Sequence, residues 1–418
     1  MVESERNKAV TLIGIGDDGC AGLTGRAANA LSRCQVIAGG ERHLSFFPDF
    51  AGERIFISGN LTEALNRIAE LSSEHSIAVL ASGDPMFFGI GSRLIDTVGC
   101  EHVEVIPHPG AMQYAFAKIG MKWDDADWIS LHGRKNKSFV TSLRQMSKVI
   151  IFTDSHMNPA VIAEKMTEYG ETEWTAWLCE NLSGPGEQIR FFENVSGLIE
   201  IDDISPLNVL ILKRKDPEWK KPHLISGFHE DMFAKRIPSK GLITKKEIRI
   251  FTLAAMGLRS DSIVWDIGAA SGSVAIESAM IAHRGHAYAV EMNHESIEHC
   301  LENTRAFGTD NVTVLEGRAP EIFSEIKENP DAVFIGGSNG SLGEIMLQSY
   351  QRLNAGGRLV VNAITFENIQ EAYACFKELN VVPEITMLNI SRAVPLARFM
   401  RYEAQNPIHI FCAEKLKK

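Results

Sequence analysis

Apolar residues fall into short continuous runs separated by stretches of helical spacing. In the first half the runs are Val10–Ile15, Gln35–Ala38, Ile77–Ala81, Val103–Ile106, Val149–Phe152 and Val209–Leu212, with helical spacing over Leu23–Ser32 and Leu61–Leu71. Continuous apolar strands alternating with helices predict a mostly parallel sheet buried on both faces. A second alternation predicts helices at Glu247–Met256, Val274–Ala282 and His294–Phe307. Its strands are expected at Ser262–Ile267, Ala287–Val290, Val312–Leu315, Ala332–Ile335, Arg358–Ala363 and Ile408–Cys412. Between the two series, Lys213–Lys246 carries many basic residues, three prolines and little periodicity, which predicts a solvated linker. The halves share no motif spacing, so the pattern is two different α/β domains and not a repeat.

Composition narrows the class. The chain has 418 residues, 45% hydrophobic and 23% charged, enough for two or three cores and too apolar for a disordered chain. No run of 18 apolar residues occurs, and the polar start MVESERNKAV lacks the apolar core of a secretion signal. Seven scattered cysteines without a CxxC pair predict reduced thiols in a cytoplasm, and no metal site. A net charge of −11 argues against general binding of nucleic acid, which needs a basic footprint. Membrane association is likewise not expected.

Two glycine loops carry the candidate chemistry. Gly14-Ile15-Gly16-Asp17-Asp18-Gly19 follows a predicted strand and is literally the dinucleotide fingerprint. Asp17 and Asp18 inside it would repel a pyrophosphate, which weighs against a nicotinamide-dependent oxidoreductase. The second loop, Trp265-Asp266-Ile267-Gly268-Ala269-Ala270-Ser271-Gly272, lies between a predicted strand and helix. Gly268 and Gly272 allow close backbone approach to a ligand. Glu291 ends the next strand, where a carboxylate can accept both hydroxyls of a ribose. That constellation suits a nucleoside without a pyrophosphate, such as S-adenosylmethionine. The same loop also occurs in RNA methyltransferases, so that class stays open beside the oxidoreductase.

These motifs carry a resemblance. Gly241–Arg249, Trp265–Gly272, Glu316–Glu321, Phe334–Gly337 and Ile390–Ala393 through Arg398-Phe399 resemble the decarboxylating precorrin methyltransferases of cobalamin biosynthesis. The Gly14–Asp17 loop, Ser82-Gly83-Asp84-Pro85 with Phe87 and Gly89, Leu131–Arg134 and Cys179–Leu182 resemble the tetrapyrrole methylases. Their order and fusion resemble the bifunctional precorrin methyltransferases that alkylate carbons 5 and 15 of the macrocycle.

The resemblance implies a two-lobed tetrapyrrole methylase fold over 8–214, a linker over 215–238, and a Rossmann-like class I methyltransferase fold over 239–416. It implies one S-adenosylmethionine site per domain, with carbon 5 methylation in the first and carbon 15 methylation with decarboxylation in the second. By the same resemblance Gly83, Asp84 and Phe87 line the first cofactor site. Thr244, Gly268, Ala269, Ala270, Ser271, Gly272, Glu291 and Ala319 line the second. Ala270 stands where the family loop commonly has glycine. Thr244 also fits the start of a capping box with Glu247. His132 and Arg134 in the first domain, and Arg392, Arg398 and Arg401 in the second, are candidate clamps for the substrate's carboxylates, since guanidinium pairs carboxylate in a fork. Gly336-Gly337 is expected to leave room for the macrocycle. Relatives of both halves self-associate, so a homo-oligomer is expected.

Overall fold

A computed structural model describes residues 9–131, 138–220, 226–236 and 243–416. Two compact units emerge: one of residues 1–132, 148–160 and 175–213, the other of 133–147, 161–174 and 214–418.

The first unit holds two sheets. β1 (Val10–Ile15), β2 (Val36–Gly39), β3 (Glu53–Phe56), β4 (Ile77–Ser82) and β5 (Val103–Ile106) form a parallel sheet in the order β3-β2-β4-β1-β5. β1 and β2 are buried along their whole length, as unbroken apolar runs require. The second sheet joins β6 (Asp127–Ser130), β7 (Lys148–Phe152), β8 (Trp174–Glu180), β9 (Gln188–Phe192) and β10 (Asn208–Arg214) in the order β6-β7-β10-β8-β9. Its pairing is mixed, parallel only between β6 and β7 among the registers described.

The second unit is built on seven strands in the order β13-β12-β11-β14-β15-β19-β16. These are β11 (Ile263–Ile267), β12 (His286–Glu291), β13 (Val312–Glu316), β14 (Ala332–Ile335), β15 (Arg358–Ala363), β16 (Glu384–Leu388) and β19 (Ile408–Glu414). β11 to β15 run parallel and β19 is antiparallel to both its neighbours. This is the doubly wound, Rossmann-like order expected for the second half. β17 (Ser391–Leu396) and β18 (Phe399–Ala404) form a separate hairpin.

Part of the stretch expected to be a solvated tether is packed instead. Phe233 is buried with Ile243, Ile276 and Phe307, and Phe228 joins them. Asn303 fixes Ala234 through both backbone groups, at 2.8 and 2.9 Å. Two aromatic residues in a basic stretch supplied the burial that its weak periodicity concealed. The second unit also takes in a short helix, Phe139–Leu143, whose Val140 and Thr141 amides donate to the half-buried Asp310 carboxylate at 3.1 and 2.9 Å.

Candidate functional site

In an open α/β sheet, ligands bind beyond the carboxyl ends of the strands, where the winding reverses. In the first sheet that point lies between β1 and β4. Both strands end in the loops that the sequence singled out. A Cβ on Gly14 would sit 2.1 Å from the Gly83 carbonyl oxygen and 2.6 Å from the His108 amide nitrogen, so the backbones after β1, β4 and β5 abut there.

The loop after β1 is not built for a dinucleotide. It runs into a short 3-10 turn, Gly19–Gly22, and the first α-helix starts only at Gly25, capped by Thr24. Asp17 turns to Arg42 at 2.9 Å, and Asp18 keeps one buried oxygen without a partner. A pyrophosphate would meet carboxylates and no helix N-terminus, so the fingerprint reading fails for a physical reason.

Arg42 and His43 were not legible in the sequence. Arg42 donates to Ser82 Oγ at 2.9 Å, and His43 Nε2 lies 2.9 Å from the same oxygen. Burial first, then the Arg42 charge, pushes the His43 imidazole down to about 4, so it is neutral at physiological pH. The Asp84 carboxylate accepts from the Met86 amide at 2.9 Å and shapes the turn after β4. Phe87 sits in a ring cluster with Phe88, Trp128 and Phe152. His132 and Arg134 lie outside the described residues.

In the second unit the winding reverses between β11 and β14. Gly268, at φ +72°, faces Gly337 so closely that a Cβ would lie 2.7 to 2.9 Å from three Gly337 backbone atoms. Gly337 therefore admits the neighbouring Gly268 loop, and both Gly336 and Gly337 stay exposed. Glu291, at the end of β12, is the hub of the crevice. One carboxylate oxygen accepts from Ala270 N–H at 2.8 Å, the other from Met292 and Asn293 N–H at 2.9 and 2.8 Å. Ala270 sits at φ +48°, which costs a residue with a Cβ about 1–2 kcal/mol. The bond to Glu291 offsets part of that strain.

Two buried polar atoms in this crevice have no partner: Asp266 Oδ1 and Ser271 Oγ. The other Asp266 oxygen accepts from Ala275 N–H at 2.8 Å. Burial raises the Asp266 carboxyl to about 7; the Ala275 amide opposes the shift and the Glu291 carboxylate adds to it. An acceptor held this way suits a cationic ligand group. Ala319 is buried against Ile322 in the adjoining core.

Thr244 is positioned by its backbone. The helix begins at Lys246 with Lys245 as its cap, and no side-chain cap bond is made there. The expected capping box is absent because Glu247 pairs with Arg392 while Glu230 accepts from Lys246 N–H at 2.7 Å. Arg249, fully buried, donates to the Thr244 carbonyl at 2.5 Å and to Glu277 at 2.6 Å.

Arg392 was expected to face substrate carboxylates. It is instead held between Glu230, at 2.8 and 3.2 Å, and Glu247. Burial works to raise the Glu230 carboxyl, but Arg392 and the Lys246 amide outweigh it and hold it at about 2. The expectation is corrected: this guanidinium fastens the β17 strand to the helix. Arg398 sits by the hairpin tip over the Phe399 ring, and Arg401 pairs with Glu403 at 3.8 Å.

Among the described residues no cluster of His, Cys, Asp or Glu is placed to hold a metal ion. Burial pushes the Cys179 thiol up to about 12 and Cys375 up to about 11, so neither is a thiolate nucleophile. Cys20 and Cys100 are exposed and unpaired with any other cysteine.

Both halves match known families. Residues 9–194 match the profile of the Tetrapyrrole (Corrin/Porphyrin) Methylases, and residues 236–415 match the Precorrin methyltransferase domain. A precorrin-6Y C(5,15)-methyltransferase [decarboxylating] from Sinorhizobium sp is 30% identical over 403 residues, 96% of this chain and 94% of its own. A cobalt-precorrin-7 C(5)-methyltransferase from Salmonella typhimurium is 36% identical over 185 residues, 44% of this chain and 89% of that protein. A probable cobalt-precorrin-6B C(15)-methyltransferase (decarboxylating) from Saccharolobus solfataricus is 32% identical over 203 residues, 47% of this chain and 99% of its own. With a relative aligned nearly end to end and both glycine loops lying at the strand ends where the winding reverses, the chain belongs to the family of decarboxylating precorrin-6Y C(5,15)-methyltransferases.

Proposed function

We propose that each unit binds its own S-adenosylmethionine, and that the two sites serve different carbons of one precorrin macrocycle. The first, at Gly83, Asp84 and Phe87, serves carbon 5. The second, at Thr244, Gly268 to Gly272, Glu291 and Ala319, serves carbon 15 and the decarboxylation of the ring C acetate. The observation that carries this reading is the pair of glycine-lined crevices, each with buried acceptors left over. The separate C(5) and C(15) relatives, each about half the length of this chain, support the division of labour.

Bound S-adenosylmethionine supplies a methyl group already activated on sulfur. The protein's task is then to hold the ring carbon in line with that methyl, with the reacting atoms about 3–3.5 Å apart, and to exclude water. Glu291 is placed to accept from a ribose, and Asp266 Oδ1 to accept from an ammonium group. No triad or nucleophilic thiol is required. Methylation at carbon 15 leaves a cationic ring system, and the acetate's C–C bonding pair can flow into it as carbon dioxide leaves.

Asp266 gives this site a pH signature. Its folded pKa is raised to about 7, so between about 4 and 7 the cofactor-free protein binds a proton that the unfolded chain has released. The contribution to stability is therefore present below about 4 and lost as pH rises to about 7. Ionised Asp266 attracts a cation, so cofactor affinity at the second site should rise across the same window. Calorimetric titration from pH 5.5 to 8 reads this, and Asp266→Asn should flatten the dependence.

The mirror test falls on the first site. Asp84→Ala should abolish carbon 5 methylation and leave carbon 15 methylation and decarboxylation intact. Mass spectrometry of the product made with a labelled methyl donor counts methyls gained and carbon dioxide lost. Loss of both activities would refute independent sites.

A cytoplasmic enzyme of a polycarboxylate fits a net charge of −11 only with local cations, and Arg398 and Arg401 are the candidates described. His132 and Arg134 remain proposals for the first site. We also place self-association at the β17–β18 hairpin, where Leu396, Phe399, Met400 and Tyr402 are all more than half exposed. Phe399→Ser with Tyr402→Ser should lower the mass seen by light scattering without changing cofactor binding. RNA and membranes are not expected partners, and among the described residues no helix is long and apolar enough to cross a membrane.

A further inference from the structure

Four aromatic rings gather in the first unit in a way that core packing does not explain. The Phe87 and Phe88 rings meet edge to face at 4.7 Å, and Phe88 meets Trp128 the same way at 5.0 Å. Phe152 completes the group, 5.7 Å from Phe87 and 5.9 Å from Phe88. Three of the four remain open to solvent: Phe87 is 39% exposed, Phe88 44% and Trp128 50%.

The backbone is bent to present them. Phe88 sits at φ +55°, a left-handed conformation that disfavours a bulky side chain. Such strain clusters at ligand sites. The Phe87-Phe88 turn belongs to the first sheet: it follows β4 and the Ser82–Asp84 loop. Trp128 and Phe152 belong to the second sheet. In the parallel β6–β7 pair, Trp128 lies opposite Ile150 and Ser130 opposite Phe152, which puts both rings on one face. The cluster thus joins a turn of one sheet to a face of the other, directly after the proposed cofactor loop.

We infer that the Phe87-Phe88-Trp128-Phe152 cluster is the apolar floor on which the planar face of the tetrapyrrole rests during methylation at the first site. A conjugated macrocycle offers a broad apolar face, and rings with open faces and edges meet such a face well. Continuity with the cofactor loop selects this occupant over a second protein chain, because methyl transfer requires the ring carbon beside the cofactor. The inference rests on the reading of the first site given above and names the surface that site uses for its substrate.

The test uses the full chain and counts each methylation separately by mass spectrometry, at saturating methyl donor. Trp128→Ala should raise the KM for the macrocycle in carbon 5 methylation about tenfold, and Trp128→Phe should recover most of it. Phe88→Ala should act in the same direction. Carbon 15 methylation and decarboxylation, made by the same molecule, should not change. Cofactor affinity at the first site, measured by equilibrium dialysis, should also hold and reports that the unit is folded. An unchanged KM in folded Trp128→Ala protein overturns the inference. So does a parallel loss of cofactor affinity, which would make the rings part of the cofactor pocket. A changed oligomeric mass with unchanged KM would assign the patch to a subunit contact instead. If the unaltered protein made no carbon 5 product at all, the reading of the first site would fail, and this inference with it.

Discussion

Glu291→Ala is expected to remove carbon 15 methylation and decarboxylation while carbon 5 methylation continues. Its carboxylate accepts three backbone bonds, from Ala270, Met292 and Asn293. It is nearly buried, so none of these amides finds ready water when the carboxylate is removed. Ala270 also loses the bond that offsets its φ of +48°, and the loop around Gly268 loses its tie to β12. The proposed ribose clamp disappears at the same time. Bonds to a charged group are worth about 1.5–3 kcal/mol each, so losing the clamp alone should weaken the cofactor at the second site about 100-fold. Glu291→Gln should be only partly better. One amide oxygen still accepts, but the NH2 group meets backbone N–H donors. Dialysis with labelled cofactor measures the loss. With a second cofactor bound at the proposed first site, the expected isotherm falls from two equivalents to one. Normal decarboxylation in the Glu291→Ala protein would refute the clamp.

Physical reasons decide what was readable in the sequence. Strands buried on both faces announce themselves as unbroken apolar runs, and β1, β4, β11, β12, β14 and β15 were found that way. The glycine loops and Glu291 were found because their spacing is local. β8, β9 and the β16–β18 strands were missed: their alternating or exposed patterns resemble loops. The partner of Arg392 lies 162 residues away at Glu230, and that of Asp17 lies 25 residues away at Arg42. No spacing rule connects such pairs. Chain reversal decides them, which is why a guanidinium expected to meet substrate meets two glutamates. Thr-Lys-Lys-Glu reads as a capping box only until the distant Arg392 takes the Glu247 carboxylate.

Arg249 shows what such a distant pairing does for the site. Its side chain and that of Glu277 are both wholly inaccessible. Burial pushes the Glu277 carboxyl up, while the guanidinium and the Gly227 and Phe228 amides draw it back. Arg249 also donates to the carbonyls of Thr244 and Phe228. The pair thus pins two loop segments to the helix Ser273–Ile281, whose first residue follows Gly272. Arg249→Met should leave Glu277 buried without its partner, a cost of about 3–5 kcal/mol. For a domain of this size that lowers the melting temperature of the second unit by roughly 10 °C, readable by calorimetry. Removing both charges together, as Arg249→Met with Glu277→Leu, should not restore the loss. Two amides and two carbonyls would still lack their partners. Arg249→Lys keeps the charge but not the fork, so it should fold better than Arg249→Met yet bind cofactor weakly at the second site, because Thr244 is no longer held. Full cofactor affinity in the lysine variant would mean that Thr244 needs no such support.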